Sequence, residues 1–412
     1  MTNLQNRIIY HCDCNGFFAS VEEVFRPEYK KVPMAVAGDP ETRRGIILAK
    51  NELAKKYNVK TAETIWQAKK KCPGLIICKP RYKAYNEFCE RVNAIYGEYT
   101  DLVERFGVDE SFLDVTNSLH CFGGDPLALA NEIKERIKTE IGVTISIGIS
   151  WNKIFAKLGS DLKKPDAVTV ITKENYKQVV WQLPVSDLLF IGRNTTQALN
   201  SFGIRTIGEL ANFDEEFLAK KLGKAGRQIY KFANGQDDSP VKLDGEYEPV
   251  KSVGKGLTFK RDLITERDIK TGITVLADSV AARLRAAKMK CTTIQVSIKD
   301  VEFKSIQRQK QAPVPTNVTT EIFNTALKII KEAWSIGKPI RAITITASNL
   351  LPENMATVQL SFFEAPASAD NTKAENVEKA VDAIRKKHGK GSITHASTVN
   401  NDIGAGGSHK EE

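Results

Sequence analysis

Three carboxylates stand where apolar, strand-like runs end or turn. Asp13 lies near the end of RIIYHCDC (residues 7–14), and Asp109 and Glu110 lie inside ERFGVDESFLDV (residues 104–115). A carboxylate at the end of a buried strand is costly unless it is paired or binds a metal ion. Taken singly, Asp13 could be a helix N-cap and the other two a solvated turn. Taken together, the three acids form a candidate metal site.

These acids have the chemistry of a two-metal site. Asp109 and Glu110 are adjacent, so they must lie at a bend to face one ion, because neighbours on a regular strand point to opposite faces. Converging carboxylates repel one another, and Mg²⁺ is the natural counter-charge because it takes oxygen ligands and keeps places for water and phosphates. Two such ions about 4 Å apart can activate a 3′-hydroxyl and stabilise a departing pyrophosphate. The triad alone also suits a palm-type nucleotide cyclase or a two-metal nuclease.

The hydrophobic periodicity predicts the elements that position the triad. It predicts strands over residues 7–14 and 143–149, a hairpin over 102–115 with its bend at VDES (108–111), and helices over 17–25, 82–99, 126–141 and 152–162. Strands that alternate with helices in this way indicate an α/β, βαβ–βαβ sheet. Residues 15–78, with two short helices between 50 and 71, are then an insertion between its first two strands.

The rest of the chain changes character twice. Residues 182–233 are predicted to form short helices with glycine-containing turns, and residues 234–249 are predicted to be a linker. Residues 250–350 again alternate strand and helix, with a long helix over 268–289 and a hairpin around Asp300. The tail from residue 366 is polar, and its last dozen residues are predicted to be disordered.

Composition excludes several classes of protein. No segment approaches the roughly 20 apolar residues that a membrane span needs, and the polar N-terminus has no signal-peptide pattern. The seven cysteines contain no CxxC pair, which argues against a zinc site and suits a reducing cytoplasm. The net charge is +10, and residues 242–350 hold 19 Lys or Arg against 11 Asp or Glu. A basic region of this kind is the electrostatic footprint of nucleic-acid binding.

Several long segments, in this order, resemble the motifs of one family. CDCNGFFASVEE, GVDESFLDV and ISIGISWNKIFAKLGSDLKKPDAVTVI resemble the palm motifs of Y-family DNA polymerases, the polymerase IV-like and polymerase V-like translesion enzymes. LLFIGRNTTQALNSFGIRTIGELA (188–211) resembles the family's thumb helix-hairpin-helix, and KSVGKGLTF (251–259) the entry into its little-finger domain. The resemblance covers roughly residues 7–363.

This resemblance implies an α/β multidomain, right-hand architecture with a βαβ palm, small fingers, a helical thumb and an α+β little finger. It places the palm at residues 1–14 and 79–166, the fingers at 15–78, the thumb at 167–233, the linker at 234–249, the little finger at 250–356 and a tail at 357–412. The implied activity is low-fidelity, template-directed DNA synthesis past lesions, by a monomer in the cytoplasm. A catalytically inactive DNA-binding homologue is the alternative from another class, and the intact triad argues against it.

The resemblance also assigns roles to single residues. Asp13, Asp109 and Glu110 would be the catalytic acids that hold two Mg²⁺ ions, with the backbone carbonyl of Cys14 as a further ligand. Phe18 falls at the family's steric-gate position, where an aromatic ring excludes a ribose 2′-hydroxyl; the alternative is a core phenylalanine. Lys55 and Lys157 match positions that contact the triphosphate of the incoming deoxynucleotide, where cations offset developing charge.

Two residues depart from the family pattern. Asn15 stands where polymerase IV-like members often have Asp, and it resembles the polymerase V-like branch. Glu52 stands where many members have a Tyr near the triphosphate. Because an acid repels phosphate, we expect Glu52 to face solvent rather than to bind the nucleotide.

Two further regions predict macromolecular partners. Basic side chains between residues 242 and 350 are expected to follow the phosphates of primer–template DNA. Gln359, Leu360, Ser361, Phe362 and Phe363 resemble the pentapeptide by which bacterial polymerases bind the β sliding clamp. Leu360, Phe362 and Phe363 would be its apolar anchors. The alternative is an ordinary edge strand, since TVQLSFF also has strand character.

Overall fold

The computed structural model describes residues 7–39, 45–246, 249–355 and 372–406. The described chain divides into two compact units, one ending at residue 246 and the other beginning at residue 249. Among the described residues, none of the helices combines the length and the apolar character needed to cross a membrane.

A five-stranded sheet forms the centre of the first unit. Its strands are β1 (Ile9–Cys14), β5 (Val103–Arg105), β6 (Glu110–Asp114), β7 (Ile145–Ser150) and β8 (Val168–Val170), in the order β5-β6-β1-β7-β8. Strand β1 is central and antiparallel to both β6 and β7. The strand and hairpin predictions for this region are confirmed, including the bend that places Glu110 at the start of β6.

Helices cover both faces of this sheet. They are α1 (Phe17–Phe25), α4 (Tyr82–Gly97), α5 (Pro126–Glu140) and α6 (Lys153–Leu162), close to their predicted bounds. Side chains alternate along β1, so Tyr10 and Cys12 join the core formed with α4 and α5, while Ile9 packs with Ala156 of α6 on the other face. Helix α6 approaches β7 so closely that only a glycine fits at position 148.

The segment between β1 and α4 forms its own small layer. It contains β2 (Met34–Ala37), β3 (Ile47–Lys50) and β4 (Ile76–Cys78), in the order β3-β2-β4, with helices α2 (Glu52–Lys56) and α3 (Ile65–Lys71). Asn51 ties this layer together, since its side chain caps α2 by accepting from the Ala54 N–H and donates to the carbonyls of Tyr29 and Val32.

Five short helices complete the first unit. They are α7 (Tyr176–Val179), α8 (Arg193–Ser201), α9 (Ile207–Ala211), α10 (Glu215–Leu222) and α11 (Lys224–Ala233). Gly203, at φ +85°, forms the turn between α8 and α9, as the helix-hairpin-helix prediction requires. Val241, in the predicted linker, is buried against Ile9 and Phe112, so this part of the linker is packed against the central sheet.

The second unit is a four-stranded sheet with two helices on one face. Its strands are β9 (Ser252–Leu263), β10 (Met289–Lys299), β11 (Ser305–Thr316) and β12 (Ile340–Pro352), in the order β11-β10-β12-β9, and its helices are α12 (Glu266–Ala286) and α13 (Thr319–Ala333). Short 3-10 turns occur at Pro27–Lys31, Leu119–Phe122, Val185–Asp187, Glu353–Met355 and Ala396–Thr398. The predicted hairpin around Asp300 joins β10 to β11.

The polar tail differs from its prediction. Helix α14 (Thr372–His388) follows the undescribed segment 356–371, and its acidic side chains pair with the second unit. Residues 401–406 were expected to be disordered, but Ile403 and Ala405 are fully buried in the core of this unit, and the Ile403 carbonyl accepts from the Lys260 N–H at 3.0 Å. The prediction from composition was wrong here because two buried apolar side chains, Ile403 and Ala405, are enough to hold a Gly-rich segment in place.

Candidate active site

Strand pairing brings two of the three predicted acids together. Asp13 lies directly opposite Glu110 in the antiparallel register of β1 and β6. Directly opposed residues on antiparallel strands point to the same face, so the two carboxyl groups meet. Both lie on the side of the sheet that faces α6.

Asp109 lies in the bend just before β6. Its backbone carbonyl accepts a hydrogen bond from the Cys14 N–H at 3.0 Å, which holds the bend against the end of β1. Cys14 is therefore next to Asp109, and the role of its carbonyl as a metal ligand stays a prediction. The bend resolves the problem that adjacent residues on a regular strand would face apart.

The electrostatics of the acids reflect their crowding. Burial and a hydrogen bond with Asp13 raise the pKa of Glu110 to about 7. Burial and the charge of Asp13 raise the pKa of Asp109 as well. Carboxylates crowded together in this way are the arrangement that a divalent cation stabilises.

Two lysines contact these acids. The Lys157 Nζ lies 2.6 Å from Glu110 Oε1 and 3.4 Å from Asp13 Oδ2, and the Lys164 Nζ lies 2.8 Å from Asp13 Oδ2. Burial lowers the pKa of Lys164, but the charges and hydrogen bonds of Asp13 and Asp161 together outweigh burial, so the pKa is raised overall. Both lysines also contact Asp161, at 3.3 Å from Lys157 and 2.8 Å from Lys164.

His11 lies on the same face of β1, fully buried. Its Nδ1 lies 2.7 Å from the Ser160 Oγ, and that hydroxyl donates its single proton to the Lys157 carbonyl. Nδ1 must therefore be the donor, which leaves Nε2 without its proton and 3.9 Å from Glu110 Oε2. Burial and the charges of Lys157 and Lys164 lower the pKa of His11, so the ring is neutral.

Phe18 lies on a small aromatic surface near the start of α1, the helix that follows β1. Its ring is parallel to that of Tyr85, with centroids 4.3 Å apart, and edge-on to that of Tyr82 at 6.2 Å. The Tyr85 hydroxyl donates to the buried Glu22, which is paired with Arg81, so the ring under Phe18 is fixed. Phe18 is only half-buried, unlike the neighbouring Phe17, and it can therefore contact a ligand.

The remaining sequence-predicted residues have mixed placements. Lys55 is exposed and pairs with Glu52 at 3.4 Å, which agrees with the expectation that Glu52 faces solvent. Asn15 is buried; its amide donates to the Ser146 Oγ and accepts from the Asp166 N–H. The pentapeptide Gln359–Phe363 lies outside the described residues.

The acids fit divalent ions in their donor chemistry. Asp13, Asp109 and Glu110 offer hard oxygen ligands, and the mutual repulsion evident in the raised pKa values calls for a cation. Within the described ranges, however, no three acidic, His or Cys side chains form a ready-made metal group. The ammonium groups of Lys157 and Lys164 already engage two of the acids, so binding an ion requires these side chains to move.

Sequence analysis missed three residues of this site. Asp161 follows Lys157 at the helical spacing of four residues, so their shared face could have been found from periodicity. Lys164 lies beyond the end of α6 at Leu162, where the helical repeat gives no such signal. His11 precedes Asp13 by two positions and so shares its strand face, which is also a readable signal. The ion-pair and hydrogen-bond partners of each of these side chains could not be predicted from the sequence.

Comparisons with known proteins identify the family of the chain. The model of the impB/mucB/samB family matches residues 12–161, and the model of that family's C-terminal domain matches residues 250–362. DNA polymerase IV of Acetivibrio thermocellus is 46% identical over 383 residues, which cover 93% of this chain and 95% of the relative. DNA polymerase IV of Clostridium kluyveri is 37% identical, covering 96% of this chain and 98% of the relative.

A solved structure agrees as well. A Y-family DNA polymerase chimera matches with a TM-score of 0.74 and 25% identity, covering 84% of this chain and 99% of the other. The relatives named above are polymerase IV enzymes, so they give no support to the interpretation that Asn15 resembles the polymerase V-like branch. On the combined evidence of sequence, fold and acids, the chain belongs to the impB/mucB/samB family, the Y-family of DNA polymerases.

Proposed function

We infer that this chain is a template-directed DNA polymerase that copies damaged templates at low fidelity. The observation that carries the inference is the opposed pair Asp13–Glu110, with Asp109 in the adjoining bend, on the palm sheet of a family whose chemistry depends on divalent metal ions. We propose Mg²⁺ as the ion and these three acids, with the Cys14 carbonyl, as its ligands. When bound, two such ions activate the primer 3′-hydroxyl and stabilise the leaving pyrophosphate.

The side chains around the acids have separate tasks. Lys157, on the face of α6 that lies over the acids, is positioned to move from Glu110 to the triphosphate of the incoming deoxynucleotide and to offset its charge. Lys55 can do the same only after releasing Glu52. Its contribution is therefore expected to be smaller than that of Lys157.

Phe18 is proposed to select the sugar. Its ring is backed by Tyr85 at a centroid distance of 4.3 Å, so it cannot retreat when a ligand approaches. A ring that cannot retreat excludes the extra 2′-hydroxyl of a ribonucleotide by steric overlap. Because the ring is half-buried rather than fully enclosed, this placement favours the gate over a purely structural role.

The open face of the sheet in the second unit supports binding to the DNA backbone. The face toward α12 and α13 is apolar, whereas the opposite face consists of glycines and small polar side chains: Gly254, Gly256, Gln295, Ser297, Thr344 and Thr346. Exposed Lys299, opposite Ser305, lies on this open face, whereas Lys255 and Arg308 are paired with Ile345 and Val296 and so lie on the other face. Arg285 is unsuited to this role, since it is only 7% exposed and pairs with Asp382 at 2.6 Å.

The thumb offers a second phosphate contact. The helix-hairpin-helix of α8 and α9 has glycines at 192 and 203, on either side of α8, where backbone N–H groups can approach a phosphate. Such contacts do not depend on base sequence. They would position the duplex without reading it.

Gln359–Phe363 is proposed to bind the β sliding clamp. A polymerase that holds DNA through phosphates dissociates often and benefits from a tether. A peptide spanning residues 356–366 is expected to bind purified clamp, and Gln359→Ala combined with Phe362→Ala and Phe363→Ala to remove clamp stimulation. Equal stimulation of this triple variant and the wild type would mean that the segment is an ordinary strand.

The chain is also proposed to act as a cytoplasmic monomer, with its seven free thiols suited to that compartment.

Primer extension with Mg²⁺ and four deoxynucleotides tests the function. Asp13→Ala, Asp109→Ala and Glu110→Ala should each abolish extension while leaving primer–template binding largely intact. Asp101→Ala, an exposed acid of the same region, is the matched control and should extend normally. Normal extension by an Asp109→Ala/Glu110→Ala double variant would overturn the two-metal assignment.

The same assay separates the alternatives. An inactive homologue would bind DNA without extending it, a cyclase would convert a nucleotide without a template, and a nuclease would shorten the primer. Templates with an abasic site test lesion bypass, which should proceed with frequent misincorporation. Accurate copying that stalls at the lesion would contradict the translesion assignment.

A further inference from the structure

Lys164 is an unassigned cation within the acidic site. Its Nζ lies 2.8 Å from Asp13 Oδ2 and 2.8 Å from Asp161 Oδ1, so it bridges a catalytic acid and a second acid that the mechanism does not use. Lys157 makes a parallel bridge from Glu110, at 2.6 Å, to Asp161, at 3.3 Å. Asp161 is thus the common partner of both lysines.

The exposure of these groups differs in a way that matters. The Asp13 side chain is 9% exposed and that of Lys164 is 26% exposed, whereas that of Asp161 is 47% exposed. The contact with Asp13 is therefore sheltered from solvent screening, and the contact with Asp161 is not. A divalent ion that uses Asp13 Oδ2 has to compete with the Lys164 ammonium for the same oxygen.

Asp161 provides a second ion-pair partner for the Lys164 ammonium when an ion displaces it from Asp13. Lys164 already contacts both carboxylates, so it can release Asp13 and keep Asp161 with little movement of its stem. Without Asp161, the ammonium would have only Asp13 as its acidic partner among its ion pairs within the described residues. The two acids therefore act on the same lysine in opposite directions.

We propose that Lys164 and Asp161 set the metal affinity of the active site, with Lys164 competing for Asp13 and Asp161 drawing Lys164 away. The proposal rests on the proposed function, because it takes Asp13 as a metal ligand. It makes Lys164 and Asp161 positioning residues for the reaction. It also couples metal binding to nucleotide binding, since a triphosphate that attracts Lys157 or Lys164 frees the acids for the ion.

Mn²⁺ binding to the full-length protein without DNA or nucleotide tests this competition. Mn²⁺ is titrated and its free fraction is read by electron paramagnetic resonance, which requires no turnover. Lys164→Met should tighten Mn²⁺ binding by about threefold to tenfold, equivalent to about 0.7 to 1.4 kcal/mol. Asp161→Asn should weaken Mn²⁺ binding by a similar factor, because it leaves the lysine on Asp13.

The opposite signs separate competition from simple damage. A purely structural role for the bridge would shift both variants in one direction, and that result, or wild-type affinity in Lys164→Met, overturns the proposal. Lys163→Met, at the exposed neighbouring lysine, is the matched control and should bind as the wild type does. Lys164→Gln is a second neutral variant should Lys164→Met not fold, and Lys164→Arg should keep wild-type affinity.

Primer extension keeps this proposal distinct from the proposed function. If the wild type extends primers but the two Mn²⁺ shifts do not have opposite signs, only the role of Lys164 and Asp161 fails. If Asp13→Ala removes neither Mn²⁺ binding nor extension, the metal assignment itself fails.

Discussion

Gly148 is a position where one added methyl group should be strongly destabilising. A Cβ built on Gly148 would lie 1.9 Å from the Ala156 carbonyl oxygen and 2.4 Å from the Ser160 nitrogen. Both are backbone atoms of α6, so no side chain can rotate to make room. Restoring an ordinary contact of 3.4 Å requires α6 to move by about 1.5 Å from β7.

This displacement has a cost in stability and in activity. Overpacking typically costs about 1 to 3 kcal/mol, and the short backbone contacts put Gly148→Ala at or above about 3 kcal/mol. For a unit of this size, that loss lowers the melting temperature by about 6 to 12 °C. Because α6 carries Lys157, a shift of this size should also reduce the extension rate by about 100-fold.

Thermal unfolding monitored by circular dichroism, with primer extension below the transition, measures both effects. Gly97→Ala is the matched control: Gly97 is the last residue of α4, and its added Cβ meets nothing within 4 Å. Alanine is the better helix former, so this control should be as stable as the wild type or more stable by up to about 1 kcal/mol. If Gly148→Ala melted and extended like Gly97→Ala, the close packing of α6 on the sheet would be refuted.

Three further predictions concern separate parts of the chain. Phe18→Ala should raise the ratio of ribonucleotide to deoxynucleotide incorporation at least tenfold, a loss of discrimination of about 1.4 kcal/mol, in single-nucleotide extension. An unchanged ratio would mean that Phe18 is a core residue. Asp268→Asn removes the α12 capping carboxylate that Arg261 binds at 2.9 Å, and should cost about 1 kcal/mol in urea unfolding at pH 7. Arg261 depresses the pKa of Asp268, so the ionised carboxylate stabilises the fold above pH about 4. The difference in unfolding free energy between Asp268→Asn and the wild type should therefore shrink as the pH falls below that value. A difference that stays constant with pH would contradict this prediction. Ile403→Ala should destabilise the second unit by about 2 to 5 kcal/mol, whereas Val399→Ala, at a 55% exposed position, should not; equal effects would mean that the core does not include Ile403.

Much of the fold could be predicted because its signals are local and periodic. The strand ending at Asp13, the bend before Glu110 and the helix that carries Lys157 each follow from an apolar repeat and its interruption. The convergence of these elements needed strand pairing as well. Because one face of each strand is buried, the face on which Asp13 and Glu110 lie could be predicted. That these two residues pair directly depends on how the whole sheet is assembled.

The rest depends on partners that are distant in sequence. Lys164 is charged and near a proline, and its sequence neighbourhood does not distinguish it from the exposed Lys163. Only the fold places its ammonium on Asp13, about 150 positions away in the chain. The prediction for Ile403 was wrong for the same reason, since two buried side chains in a Gly-rich segment leave no periodic signal.

The burial of Ile403 also orders events during synthesis. The described part of the first unit ends at residue 246, so all its described contacts are available before residues 249–406 have been made. Within the part of the chain that the structure describes, the core of the second unit extends from Val253 to Ala405. Domains generally fold as units from the N-terminus during translation. A ribosome that stops early would therefore release a complete catalytic sheet joined to a second unit whose core is still open to solvent.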